Sequence, residues 1–246
     1  MNRTDPWESL KQFTAARIAM GRAGAGIPLS HLLRFNLAHA HARDAVYSVL
    51  ESELLHQRLV HLNLPILYIQ SQVRNRQEYL QRPDLGRLPD EHSTHMLHQH
   101  TNPCDVNIIL ADGLSAQAIN LHAVPLLGLL VPLLQAAGYS LAPLCLATGA
   151  RVAFADPVAH TLQARLSVIL IGERPGLSAA DSMGAYLTYQ PRPGLTDESR
   201  NCISNIRPQG LSYHLAAEKI FYLVQEALRR SLSGVGLKED GPNLLS

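Results

Sequence analysis

The sequence predicts an α/β protein, in which a mostly parallel sheet carries helices on both faces and follows a helical N-terminal part. From residue 65 onward, short apolar runs typical of buried strands alternate with longer segments of helical periodicity. Before residue 65, apolar residues recur at helical spacing and no clear strand is visible. The chain has 246 residues, 46% hydrophobic and 17% charged, which is enough apolar surface for a folded core.

Residues 1–64 form the predicted helical part. In Asp5-Pro6-Trp7-Glu8, a capping residue precedes a proline at the first helical position, so we expect a helix from there to about Gly21. The segment Gly21–Gly26 is predicted to be a glycine-rich loop. Between Pro28 and Leu62 the apolar spacing predicts either one long helix or two shorter ones.

The remaining elements follow in order along residues 65–246. Predicted strands are Ile66–Ile69, Val106–Leu110, Leu141–Leu146, Arg151–Phe154, Leu166–Ile171 and Ala185–Tyr189. Predicted helices are Val73–Leu80, Ser115–Gly138, one starting at Asp156-Pro157 with Asp156 as its cap, and Ser212–Leu232. The segment Glu91–Asn102 is histidine-rich and is predicted to be an exposed polar stretch.

Composition excludes several classes of protein. Lys and Arg number 21 against 20 Asp and Glu, so no basic excess is available to neutralise nucleic-acid phosphates. Three cysteines, Cys104, Cys145 and Cys202, cannot all pair within the chain and indicate reduced thiols in a cytosolic protein. The apolar segment Ala123–Ala137 is too short and too interrupted to span a membrane. We therefore expect a soluble protein without a nucleic-acid or membrane partner.

Two predicted strand ends carry residues suited to binding a ligand. Ligands of parallel sheets bind beyond the carboxyl ends of the strands, where Asp112-Gly113-Leu114-Ser115 and Gly172-Glu173-Arg174-Pro175-Gly176 lie. Glycine allows close approach of the backbone, and the polar side chains offer donors and acceptors. Ordinary turns with capping residues are the alternative interpretation. A predicted loop, Arg200–Gly210, adds a third polar segment that contains Cys202.

Familiar catalytic motifs are absent from the sequence, including the P-loop, H-E-x-x-H, C-x-x-C and G-x-S-x-G. Four histidines, His92, His95, His98 and His100, fit one helical face only partly, and no carboxylate or thiol pair completes a metal site. We therefore predict no metal site there. No histidine or basic cluster flanks Cys202, so we predict no nucleophilic catalysis by its thiol.

Several segments together resemble the small (light) subunit family of ethanolamine ammonia-lyase. They are Thr14–Ile18 with Gly21–Gly24, then Tyr79–Arg87, then Ala111–Ser115, then Gly172–Gly176 followed by Cys202–Ile206. Each segment is weak evidence alone. Their shared order over nearly the whole chain makes the resemblance specific.

The resemblance implies conversion of ethanolamine to acetaldehyde and ammonia by adenosylcobalamin-dependent radical chemistry. It implies a hetero-oligomer in which the large subunit binds ethanolamine. In this chain it implies a Rossmann-like cobalamin-binding domain over residues 65–246, and a docking function for residues 1–64. It also implies that cobalamin keeps its own benzimidazole as lower ligand, and the absence of a D-x-H-x-x-G loop is consistent with this.

Cobalamin contacts carry over from the family to three positions. Val152 would supply an apolar shelf, Glu173 an acceptor for amide N–H groups, and Cys202 a small packed contact. The resemblance implies no catalytic residue in this chain, because the cofactor carries the difficult step. Arg174 and Asp112 are further candidates for the cofactor rim or the subunit joint.

Two other functions and two cellular locations are also compatible with the sequence. The chain could be a free-standing α/β hydrolase that acts through Asp112 and Ser115, which predicts turnover by the isolated chain. It could instead be a non-catalytic interaction protein that has lost the cofactor. The family is found in the cytoplasm and within bacterial microcompartments; because few residues precede the predicted first helix, plain cytoplasmic residence is one of the two expectations.

Overall fold

A computed structural model describes residues 7–14 and 16–237. The helices are α1 (Leu29–Val46), α2 (Ser52–Leu59), α3 (Arg76–Gln81), α4 (Glu91–Gln99), α5 (Ala116–Ala136), α6 (Ala155–Thr161) and α7 (Tyr213–Arg230). The strands are β1 (Ile66–Gln70), β2 (Cys104–Ala111), β3 (Leu144–Thr148), β4 (Ala164–Gly172), β5 (Met183–Tyr189) and β6 (Arg200–Ile206).

The strands form one six-stranded sheet in the order β1-β3-β2-β4-β5-β6. The first four strands pair in parallel, whereas β5 and β6 join the edge beside β4 in antiparallel fashion. The predicted α/β class with a mostly parallel sheet is therefore confirmed. This order differs from the 3-2-1-4-5-6 order of dinucleotide-binding folds, and the Rossmann-like assignment stays a prediction.

Two apolar clusters cover the two faces of the sheet, because successive strand residues point to opposite sides. On one face, Ile108 and Leu110 of β2 pack with residues of α2, α5 and α7. On the other face, Ile109 and Ala111 pack with residues of α4 and α6. Helices therefore lie on both faces, as predicted, and β2 is buried on both sides.

Helix α5 runs unbroken through Pro125 and Pro132 over 21 residues. Its length and composition alone would allow it to cross a membrane. Its buried residues, which include Leu126, Leu130 and Leu134, instead pack against the sheet. The helix is thus the central core helix of this fold.

Three predictions on the later part of the chain are wrong. The predicted strand Arg151–Phe154 is a short 3-10 turn, Val152–Phe154, that leads directly into α6. Asp156 lies inside α6 rather than at its cap, and its carboxylate forms a buried ion pair with Arg200 instead of capping the helix. The predicted loop from Arg200 is in fact β6, whose exposed polar residues reflect its place at the sheet edge.

Two segments nearer the N-terminus also differ from expectation. The first described element is a 3-10 turn, Glu8–Phe13, rather than a helix reaching Gly21, and Asp5 and Pro6 lie outside the described residues. The histidine-rich stretch predicted to be simply exposed contains α4, which buries Leu97. Of the two alternatives for Pro28–Leu62, the pair of shorter helices, α1 and α2, is confirmed.

Candidate functional site

The two predicted strand ends, 112–115 and 172–176, are called the strand tips below. They lie together at the carboxyl edge of the sheet, because β2 and β4 are adjacent parallel strands. The tips touch through their backbones: the Leu114 N–H donates to the Gly172 carbonyl across 2.9 Å. A Cβ on Gly172 would overlap the Ser115 carbonyl oxygen. Glycine at this position therefore permits the close approach that joins both tips into one edge.

Asp112, the first residue after β2, binds the backbone of the turn after β3 rather than facing outward. Its carboxylate accepts hydrogen bonds from the backbone N–H groups of Gly113, Gly149 and Ala150 at 2.9, 2.8 and 3.2 Å. Burial raises the pKa of this carboxyl group. Asp112 thus ties β2 to the turn that leads to Val152, and the cofactor-rim role expected for it stays a prediction.

A stack of three side chains supports the same edge. The Tyr79 ring lies between the guanidinium groups of Arg76 and Arg151, whose carbons are 4.6 and 4.0 Å from the ring centroid. Arg76 donates to the carbonyls of Gly113 and Leu114 at 2.7 and 2.9 Å. Burial raises the pKa of Tyr79 to about 12, so its hydroxyl stays protonated. No local sequence pattern marks these three residues as a group, and only the fold brings them together.

A cavity of about 270 Å³ opens beside this stack. Arg74, Arg76, Asp112 and Gly149 line it from the sheet side, and residues 47–50 line it from the segment between α1 and α2. None of the three predicted cobalamin contacts lines this cavity. The predicted contacts belong to a different part of the carboxyl edge.

Glu173 and Cys202 lie on one face of the sheet. Ile169 and Ile171 of β4 point toward α6, and Glu173 continues this alternation beyond the end of the strand. Tyr186 of β5 pairs with Ile169, and Cys202 of β6 pairs with Tyr186, so both point to the same side. The two predicted contacts therefore share a surface that spans three neighbouring strands.

Val152 lies on the same side of the sheet, although it belongs to a turn and not to a strand. It opens the 3-10 turn before α6 and packs against the core cluster that also holds Tyr186. The turn stands at the carboxyl edge because Asp112 holds the backbone of Gly149 and Ala150 immediately before it.

The Glu173 side chain is held in a defined orientation. Its Oε2 accepts hydrogen bonds from the Ser182 hydroxyl and from the Asn205 N–H. It lies across Gly184, where an added Cβ would come within 2.9 Å of Oε1. The carboxylate is thus fixed through one oxygen, and the other is available as an acceptor.

Cys202 is exposed and carries a neutral thiol. Desolvation around the sulfur raises the pKa of the thiol and outweighs the opposing effect of the Tyr186 hydroxyl. A raised pKa disfavours the thiolate that nucleophilic chemistry would need. Cys202 is therefore suited to a packed contact.

Asp112 and Ser115 lack the arrangement that hydrolysis would require. The Ser115 hydroxyl is buried and donates to the Ala180 carbonyl across 3.2 Å. Within residues 7–14 and 16–237, no hydrogen bond joins Ser115 or Asp112 to a histidine, so no general base activates the hydroxyl. The same described residues contain no group of three or more His, Cys, Asp or Glu able to hold a metal ion.

Comparison with known proteins decides the family. The family model described as ethanolamine ammonia-lyase light chain matches residues 4–238. The chain belongs to this family. A small subunit of ethanolamine ammonia-lyase from Azotobacter vinelandii is 52% identical over 240 residues, which cover 96% of this chain and 89% of that relative. Small subunits from Pseudomonas putida and Ralstonia nicotianae are each 49% identical, covering 96% of this chain and 88% of the relative.

Membership of the light-chain family confirms the resemblance seen in the sequence. The names of the family and of these relatives describe a light chain or small subunit, which is one part of an enzyme with more than one kind of subunit.

Proposed function

We propose that this chain forms one half of a cobalamin cradle in adenosylcobalamin-dependent ethanolamine ammonia-lyase. The large subunit forms the other half and binds ethanolamine, which is converted to acetaldehyde and ammonia. The observation that carries the proposal is the shared face of Glu173 and Cys202, with Val152 on the same side of the sheet. These are the positions at which the family resemblance expects cobalamin contacts.

The chemistry of this face suits a broad plate fringed with amides. Glu173 presents a fixed carboxylate with one available oxygen, which accepts amide N–H groups. Val152 adds apolar surface, and Cys202 adds a small neutral contact. Gly184 leaves the space across which the Glu173 side chain lies. The acceptor, the apolar surface and the open space therefore all fit the group without any metal ligand from this chain.

The chain's own residues bind and orient rather than react. When bound, adenosylcobalamin supplies the radical that the rearrangement needs. Glu173 holds the cofactor edge, and the Asp112 and Arg76 hydrogen bonds keep the strand tips in place. We propose that no acid, base or nucleophile of this chain acts in the reaction, and that Arg174, which is exposed, faces the cofactor rim or the subunit joint.

The N-terminal part is proposed to dock the large subunit. Helix α1 exposes an apolar stripe formed by Leu29, Leu33 and Leu37, which are 67%, 58% and 58% exposed. These residues follow i, i+4, i+8 spacing and so share one helix face. An exposed apolar stripe of this kind is typical of a surface that a partner covers. The complex is proposed to work in the cytoplasm, either free or within a bacterial microcompartment.

The test compares Glu173→Ala with Glu218→Ala, an exposed glutamate on α7, in the complex with the large subunit. Corrin absorbance measures cobalamin retention, and acetaldehyde release measures turnover. We expect Glu173→Ala to weaken cobalamin affinity by about tenfold, since a hydrogen bond to a charged group is lost, while turnover at saturating cofactor is kept. Lost turnover with unchanged affinity would contradict the proposed function, as would turnover by the isolated chain.

A further inference from the structure

We propose that Tyr186 is a further cobalamin contact of this chain, with its ring forming the floor between Glu173 and Cys202. This inference rests on the proposed function and adds a residue that the sequence analysis did not single out. Its basis is the position of Tyr186 in the strand register and its packing against the apolar cluster beneath α6.

Tyr186 occupies the strand between the two predicted contacts. Glu173 extends β4, Cys202 lies on β6, and β5 runs between them. Tyr186 pairs with Ile169 on one side and with Cys202 on the other. Because neighbouring strands are about 5 Å apart, a ligand that touches both Glu173 and Cys202 has to cross β5.

The other β5 residues on this face offer no side chain that could contact such a ligand. On this face, the residue nearer the carboxyl edge is Gly184, which has no side chain and lies beneath Glu173. The residue farther along, Thr188, is buried and its hydroxyl accepts a hydrogen bond from Arg200. Tyr186 is therefore the β5 side chain that remains between Glu173 and Cys202.

The Tyr186 ring is supported by the core beneath it and flanked by Cys202 on the neighbouring strand. The side chain is half-buried and packs against the apolar cluster beneath α6. On β6 the residue directly opposite Tyr186 is Cys202, so the ring lies beside the Cys202 side chain. A ring held in this way offers a large, rigid apolar surface at low entropic cost, which suits contact with a planar macrocycle.

The test uses the assembled complex and cyanocobalamin as the probe, titrated by corrin absorbance. Tyr186→Ala and Tyr186→Leu remove the planar ring, and the leucine variant retains an apolar group over the core. The matched control is Tyr189→Ala, on the same strand, where the side chain packs against the opposite core cluster. Size-exclusion chromatography checks that each variant assembles.

We expect both Tyr186 variants to bind cyanocobalamin about tenfold more weakly, because an aromatic anchor is lost, and Tyr189→Ala to stay within about twofold. Tyr186→Phe keeps the ring and is expected to stay within about threefold. Wild-type affinity in Tyr186→Leu, or an equal loss in Tyr189→Ala, overturns the assignment of Tyr186 while the proposed function stands. Absence of cyanocobalamin binding by the unsubstituted complex overturns the proposed function itself.

Discussion

The carboxylate of Glu173 accepts a hydrogen bond from the backbone N–H of Asn205 across 3.3 Å. This bond ties the tip after β4 to the end of β6, although 32 residues separate the two in sequence. Asn205 is three residues beyond Cys202, so the same bond keeps the strand of Cys202 next to the Glu173 carboxylate. The orientation of Glu173 therefore depends on β5 and β6 as much as on its own strand.

Gly184→Ala is expected to displace the Glu173 side chain without unfolding the chain. The added methyl group would lie 2.9 Å from Oε1 and 3.3 Å from Cγ of Glu173, and a flexible side chain can move away. We expect a several-fold loss of cobalamin affinity in the complex and little change in the urea midpoint. The control, Gly128→Ala on α5, meets nothing within 4 Å and should change neither quantity adversely. Unchanged affinity in Gly184→Ala would show that the orientation of Glu173 does not matter.

Asp156→Ala is expected to destabilise the fold strongly. Both side chains of the Asp156–Arg200 pair are 2% exposed, and two hydrogen bonds of 2.7 Å join them. Removing the Asp156 carboxylate leaves the buried Arg200 charge with only the exposed Asp197, at 3.4 Å, as an ionic partner among the described residues, which costs about 3–5 kcal/mol. Urea unfolding measures the loss. Arg165→Ala, which breaks the more exposed pair with Asp105, should cost less than about 1 kcal/mol. Equal losses in the two variants would refute the difference expected from burial.

His122 is expected to make the stability depend on pH. It is 4% exposed, with Nδ1 2.8 Å from the Tyr213 hydroxyl and Nε2 3.4 Å from a carboxylate oxygen of Asp181. Burial lowers the pKa of His122, against the opposing effect of Asp181, and Arg207 lowers it further. The unfolded chain therefore takes up a proton at a higher pH than the folded chain does. Stability from this residue is present above about pH 6.5 and is lost as the pH falls below it.

The measurement is the urea midpoint at about pH 7.5 and about pH 5.5, on either side of the ordinary histidine pKa. The unsubstituted chain should lose more stability over this interval than His122→Gln does. His214→Gln serves as control, because the His214 side chain is 77% exposed. The same pH dependence in His122→Gln and in the unsubstituted chain would remove His122 as its source.

Leu33→Glu is expected to weaken assembly with the large subunit and to leave the isolated chain folded. Leu33 is 58% exposed, so a charge there costs the free chain little, whereas a covering partner would have to bury it. Asn36→Glu places the same charge at an exposed polar position of α1 and should assemble normally. Analytical ultracentrifugation of the mixed subunits gives the dissociation constant. Normal assembly of Leu33→Glu would rule out docking through this stripe.

Local patterns were sufficient for the elements with strong periodicity. The buried apolar runs predicted β2, β4 and β5, and helical spacing predicted α5 and α7, because each pattern reflects contacts with the nearest face of the core. The same reasoning failed for β6. Its polar residues resemble a loop, since an edge strand buries only part of its surface and owes its strand structure to pairing with β5.

The sequence by itself determined the α/β class, the order of most elements and the family, because these depend on local periodicity and on residues in a specific order. Tertiary structure alone decided that Glu173, Tyr186 and Cys202 share one face, and that Asp156 faces Arg200 rather than capping a helix. Strand pairing and register join residues that are far apart in the chain. No local pattern encodes which strands become neighbours. The sequence could therefore supply candidate contact residues one by one, but not their arrangement in space.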